Sequence, residues 1–180
     1  VIQEANMTYA NGRIIHDADS HVMETRDWLA PFADAEHVGK VPSLFGKGPS
    51  PIDLLVAEAK KRKVDPEADA KAAQNPIAGP KGWSAYGAFD PEERKKVLDG
   101  LGFSRQLVFP TAGLGPVLAA KDDERRYALS RAYNRSIAAF CASPGLIAVG
   151  YVPLDNPERA LEEATYAIDA GCGAIMLSSG

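Results

Sequence analysis

Arg13-Ile14-Ile15-His16-Asp17-Ala18-Asp19-Ser20-His21 runs from an apolar start into a polar end. That is the pattern of a buried strand that delivers polar side chains at its C-terminal end. Three more runs read as strands. Gln106-Leu107-Val108-Phe109 is stopped by Pro110, and Leu146 to Val152 is stopped by Pro153. Gly173 to Leu177 ends at Ser178-Ser179-Gly180. None alternates cleanly between apolar and polar. Near-continuous Val/Ile/Leu runs suit strands covered on both faces, as in parallel sheets.

Helical patterns lie between these runs. Asp90-Pro91-Glu92-Glu93 combines an N-cap, a proline at the first helical position and an acidic first turn. Val97, Leu98 and Leu101 supply its apolar stripe, and Gly100 and Gly102 mark its end. Asp122 or Asp123 opens the longest helix, which stops at Ser143-Pro144-Gly145. Asn156-Pro157-Glu158 opens another, with a stop at Gly171. The order strand, helix, strand, helix, strand, helix, strand signals right-handed βαβ units in an α/β fold. Thr25 to Phe89 breaks this rhythm. Ile52 to Arg62 looks helical and Pro76 to Gly87 irregular. A long insertion after a strand's C-terminal end is where parallel α/β folds carry binding loops and lids. A plain surface excursion is the other reading.

Composition narrows the function classes. The chain has 180 residues, 46% hydrophobic and 24% charged, with a net charge of −4. A mildly acidic chain lacks the concentrated positive charge that nucleic-acid backbones require. No apolar run approaches the roughly 20 residues of a membrane span, and Val1 to Gly12 shows no signal-peptide pattern. Cys141 and Cys172 make no disulfide framework and read as buried free thiols. The expectation is a cytoplasmic protein with neither a nucleic-acid nor a membrane partner.

Asp19 and His21 lie two apart at a strand end, so alternation points them the same way, together with Asp17 and away from His16. A carboxylate and an imidazole on one face can grip one divalent metal. Spacing alone leaves other readings open. A buried Asp also caps turns, and a His is often a hydrogen-bonded core residue.

Ile14 to Glu24 resembles the opening strand of the amidohydrolase-related family (amidohydrolase 2) that includes aminocarboxymuconate-semialdehyde decarboxylase. The likeness continues in Leu98 to Thr111, in Ala128 to Cys141 with its Arg131-Ala132-Tyr133-Asn134, and in Val152 to Ala160. The insertion over 25–89 is the least family-like part. The resemblance implies a (β/α)₈ TIM barrel with one divalent metal, zinc or manganese, at its C-terminal rim. It implies metal ligands at Asp19 and His21, where the family carries His-x-His or an acidic residue followed by x-His. An Asp in the first position leans towards a harder metal such as manganese. Asp17 matches the acidic residue that often precedes the pair.

The family's other ligands are a His from a middle strand and an Asp from the last strand, and neither has a counterpart here. His37 sits in the insertion. Four strands of eight are present, and a complete barrel takes ~250 residues. The expectation is therefore the N-terminal half of the barrel, residues 1–180 of a longer protein, with catalytic groups downstream of Gly180. The parent is expected to be a metal-dependent hydrolase or nonoxidative decarboxylase acting on a small carboxylate or cyclic substrate, with this half alone inactive. Homodimerisation is a further implication of the resemblance. The reading from another class is a non-catalytic half-barrel that serves binding or assembly through its open sheet edge.

Four more features bear on a site. Glu24 is three residues past His21 and reads either as a support for the ligands or, preferred here, as a helix-start residue. Arg26 suits either a substrate carboxylate or solvent. Trp83 and Tyr86 either line a pocket or pin the insertion to the barrel. Thr111-Ala112-Gly113-Leu114-Gly115 superficially resembles a phosphate-cradling loop, but it lacks a third glycine and a P-loop Lys-Ser/Thr. Lys60 to Lys63 is most simply a solvated helix end.

Overall fold

A computed structural model describes residues 8–177. Strand β1 is His16–His21, β2 Arg105–Phe109, β3 Leu146–Val152 and β4 Ala174–Leu177. They form one parallel sheet in the order β1-β2-β3-β4. The helices are α1 Pro51–Lys63, α2 Pro66–Gln74, α3 Pro91–Leu101, α4 Gly115–Leu118, α5 Asp123–Phe140 and α6 Pro157–Asp169. The fold is α/β, with helical crossovers between successive strands, as the sequence pattern predicts. The expected end of the fourth strand run at Ser178-Ser179-Gly180 lies outside the described residues. No helix among the described residues is long and apolar enough to cross a membrane.

Local chemistry places most boundaries. Asp90 accepts hydrogen bonds from the amides of Glu92 and Glu93 at the start of α3, and Pro91 takes the position where a missing N–H costs nothing. Gly102 ends α3 in the left-handed region, φ 71°, which disfavours any side chain. Asp122 caps α5 and Asn156 caps α6 in the same way. The core lies between the sheet and its helices. Val108 of β2, Leu146 and Ala148 of β3, Leu98 of α3 and Tyr133, Ile137 and Phe140 of α5 meet there.

The first strand departs from its sequence reading. Ile14 is 80% exposed and the strand begins only at His16. A strand buried on both faces is expected, but β1 stands at the sheet edge and most of its residues are exposed. Its apolar start belongs to the approach, and its polar residues form the strand itself.

Within the insertion, residues 76–87 are irregular as expected, apart from one 3-10 turn at Gly82–Ser84. The insertion also holds α1, over the expected helical run, and α2, and ion pairs dock both onto α3. Arg62 meets the buried Glu93 at 2.7 Å, Lys63 meets Asp90 at 2.5 Å, and Lys96 meets Asp69 at 3.1 Å. The basic run at the end of α1 is thus only partly solvated.

Both cysteines are buried. Burial pushes the Cys141 thiol up to about 12 and the Cys172 thiol up to about 11. A thiol raised this far stays protonated near neutral pH and is a poor nucleophile. A thiol-reactive dye is expected to stay silent on the native protein and to count both cysteines after unfolding. Rapid labelling of the native state would contradict their placement.

Candidate functional site

A bulge shapes the end of β1. Asp17 pairs with Gln106 and Ser20 with Val108, so three steps on β1 match two on β2. This extra residue resets the alternation. Asp17 shares the face of Gln106 and accepts from its amide nitrogen at 3.2 Å. Ser20 lies on that same buried face. Asp17 therefore does not point with Asp19 and His21, as unbroken alternation requires. Its Oδ1 instead accepts from the Asp19 backbone N–H at 3.1 Å and steadies the bulge. His16 is moved as well. It pairs with Arg105, two residues before Leu107 and four before Phe109, and so shares the face of His21 rather than turning away from it. It stands at the opposite end of the strand.

Asp19 and His21 come together. Nε2 of His21 is 3.5 Å from Oδ1 of Asp19. Nδ1 of His21 is 2.8 Å from the carbonyl oxygen of Pro110. A carbonyl only accepts, so Nδ1 carries a hydrogen and Nε2 is the ring atom that faces Asp19. The His21 ring also packs on Phe109, with centroids 5.9 Å apart. Arg94 of α3 fixes the backbone here. It donates to the His21 carbonyl at 2.6 Å, to Ser20 Oγ at 2.8 Å and to the Gly87 carbonyl at 2.8 Å. The Asp19 side chain is 93% exposed and free to reorient.

Glu24 begins no helix. It is fully buried in the loop after β1, and its carboxylate accepts from three consecutive backbone amides after β2. Thr111 donates at 3.1 and 3.2 Å, Ala112 at 2.8 Å and Gly113 at 3.0 Å. The loop that resembles a phosphate cradle does cradle an anion, and the anion is the chain's own. A Cβ at Gly113 would stand 2.7 Å from Glu24 Oε1, so any other residue there would push the carboxylate out of its place. Burial pushes the Glu24 carboxyl above its ordinary value, and the amide hydrogen bonds pull against that rise. The cradle offers only donors, which is the partner set of an ionised carboxylate.

Arg26 is fully engaged. Its guanidinium donates to both oxygens of Asp53, at 2.9 and 2.5 Å, to Ser43 Oγ at 3.1 Å, and to the carbonyls of Gly46 and Gly48. Five donors meet five acceptors, so none remains for a substrate carboxylate. Asp53 also closes the capping box with Ser50 at the start of α1, so Arg26 holds the insertion's first helix in place. Trp83 donates to the Glu24 carbonyl at 2.8 Å and stands edge-on to Phe45. It joins the insertion to the end of β1. Tyr86 is buried between Arg62 and Lys96 and donates to Asp69. His37 lies beside Glu36 in the insertion.

Sequence reading missed Arg94 and the Pro110 carbonyl, which hold His21 from two sides. A lone arginine on a helix carries no local signal for such a role. Among the described residues, no group of three or more His, Cys, Asp or Glu converges.

Comparison with protein-family models and with curated proteins finds no match. A solved structure does match. It is an amidohydrolase from Mycobacterium avium subsp. paratuberculosis, 19% identical, with a TM-score of 0.59 over 92% of this chain. The chain spans about half the length of that protein, 50% of its residues. At this identity the likeness is one of fold. The four parallel strands and their helices match half of an amidohydrolase TIM-barrel chain.

Proposed function

We propose that Asp19 and His21 are two ligands of a divalent metal in an amidohydrolase-type enzyme. The enzyme acts as a hydrolase or nonoxidative decarboxylase on a small carboxylate or cyclic substrate. One observation carries the reading. Nε2 of His21 and Oδ1 of Asp19 face each other across 3.5 Å while Nδ1 is held by the Pro110 carbonyl. A positive charge between them satisfies both atoms: a proton on Nε2 makes an ion pair there, and a divalent cation makes a metal site.

The donor set fits either zinc or manganese. Neutral imidazole suits both, and the carboxylate leans towards manganese. A catalytic divalent metal usually takes three or more protein ligands. In this proposal the remaining ligands come from the half of the barrel that the chain does not span. When bound, the ion supplies the Lewis acidity on which either reaction draws. The chain's own contribution is to fix the His21 tautomer and to keep a mobile carboxylate beside it. The cradle at Glu24 and the Arg94 bridge then keep the rim from shifting.

The test is calorimetric titration of zinc and manganese into the protein and its Asp19→Ala and His21→Ala variants. The protein is expected to bind at least one of the two ions, and each variant to lose that binding. Asp19 is almost fully exposed, so Asp19→Ala should stay within about 0.5 kcal/mol of the parent, while His21→Ala should cost about 1–2 kcal/mol for its lost hydrogen bond and ring packing. No binding by the parent, or equal binding by both variants, would sink the assignment.

A further inference from the structure

We infer that the Pro110–Thr111 peptide group is a relay through which Glu24 holds the His21 hydrogen on Nδ1 and so keeps Nε2 open towards Asp19. The inference gives Glu24 a positioning role in the site proposed above, and its primary test does not depend on metal binding.

Covalent geometry makes the relay. The carbonyl of Pro110 and the N–H of Thr111 belong to one peptide unit. The described residues contain no cis peptide bond, so these two groups point in opposite directions. On one side Thr111 N–H donates to both oxygens of Glu24. On the other side the Pro110 carbonyl accepts from His21 Nδ1 at 2.8 Å. The sequence of contacts is carboxylate, peptide N–H, peptide carbonyl, imidazole Nδ1–H. Imidazole ligands of metals commonly donate their second nitrogen to a carboxylate, which sets the tautomer. Here one peptide group is interposed.

Electrostatics give the relay its direction. A negative charge at the N–H end polarises the peptide and makes its carbonyl a stronger acceptor. Hydrogen bonds in such chains strengthen one another by about 10–30% each. Burial of Glu24 keeps water from screening its charge. The amides of Ala112 and Gly113 complete the cradle and fix the plane of the loop. A neutral imidazole in water prefers its hydrogen on Nε2. In that tautomer His21 would turn a lone pair on the Pro110 carbonyl, and the site would lose its open nitrogen.

The experiment reads the tautomer directly. The full chain is labelled with nitrogen-15, and long-range proton–nitrogen spectra are recorded above the range in which imidazole ordinarily titrates. His21→Gln assigns the signals. Wild-type His21 is expected to carry its hydrogen on Nδ1. Glu24→Gln places an amide group against the loop N–H donors, and His21 is expected to shift towards the Nε2–H form. Gly113→Ala is the second variant. Its methyl group displaces the Glu24 carboxylate without changing any charge, and a smaller shift in the same direction is expected.

A Glu24 with a purely structural role would lower the melting temperature and leave the tautomer alone. Where the wild type binds zinc, Glu24→Gln should weaken binding about 10- to 100-fold. A tautomer shift without zinc binding by the wild type keeps the relay and removes the metal reading. Wild-type His21 with its hydrogen on Nε2, or Nδ1–H retained in the folded variants, overturns the relay. Should Glu24→Gln fail to fold, Gly113→Ala alone decides.

Discussion

Glu24→Ala is expected to lower the unfolding free energy by about 3–5 kcal/mol, a large part of the ~5–15 kcal/mol that a domain possesses. The substitution removes the shared acceptor of three backbone N–H groups. An unsatisfied buried donor costs about 1–3 kcal/mol. Gly113 is buried, Ala112 half-buried and Thr111 exposed. Water therefore repairs the loss best at Thr111 and worst at Gly113, so the sum falls below three full penalties. Relief from burying the carboxylate offsets a further part. Urea unfolding with an unchanged denaturant slope would measure the difference cleanly. A loss under about 1 kcal/mol would show that water enters the cradle and that Glu24 is no keystone. Glu24→Gln keeps one accepting oxygen and should cost about half as much.

This cradle marks where sequence reading stops. Glu24 was legible as a residue of interest because it follows His21 by three positions. Its partners are 87 to 89 residues away, and no local pattern encodes them. The same holds for Arg26, whose partners lie 17 to 27 residues on. The β1 bulge is also invisible in one strand, because it exists only relative to the pairing with β2. Unbroken alternation therefore misplaces Asp17 and His16, while Asp19, inside the irregular stretch, still meets His21 side chain to side chain. Features encoded within one turn fared better. The caps at Asp90, Asp122 and Asn156, the glycine at 102 and the proline stops after β2 and β3 placed three helices and two strands almost to the residue. Helix α2 went unread because Ala68 to Ala73 gives little apolar contrast, although Asp65 caps it.

Arg131→Met is expected to cost about 3 kcal/mol, and adding Glu163→Leu to recover most of that loss. Glu163 of α6 is fully buried, with its carboxylate held by Arg131 of α5 at 2.7, 2.9 and 3.0 Å. The Arg131 guanidinium also lies over the Tyr166 ring, 4.8 Å from its centroid. Removing the arginine strands a carboxylate in a water-excluded seam, the costly half of any buried pair. Removing both charges leaves an apolar contact that the same seam tolerates. The neighbouring residues explain why this stretch of α5 bears on the fold. Tyr133 donates to the Val149 carbonyl at 2.8 Å. Asn134 takes both the N–H and the carbonyl of Tyr151, at 2.7 and 3.0 Å. Arg131-Ala132-Tyr133-Asn134 thus fastens α5 to β3 and α6. None of its contacts reaches Asp19 or His21. Zinc or manganese affinity in Arg131→Met should therefore match the parent while the chain remains folded. A double variant as unstable as the single one would show that packing of the arginine stem, and not the stranded charge, sets the cost. A single variant as stable as the parent would show that water solvates Glu163 without its partner.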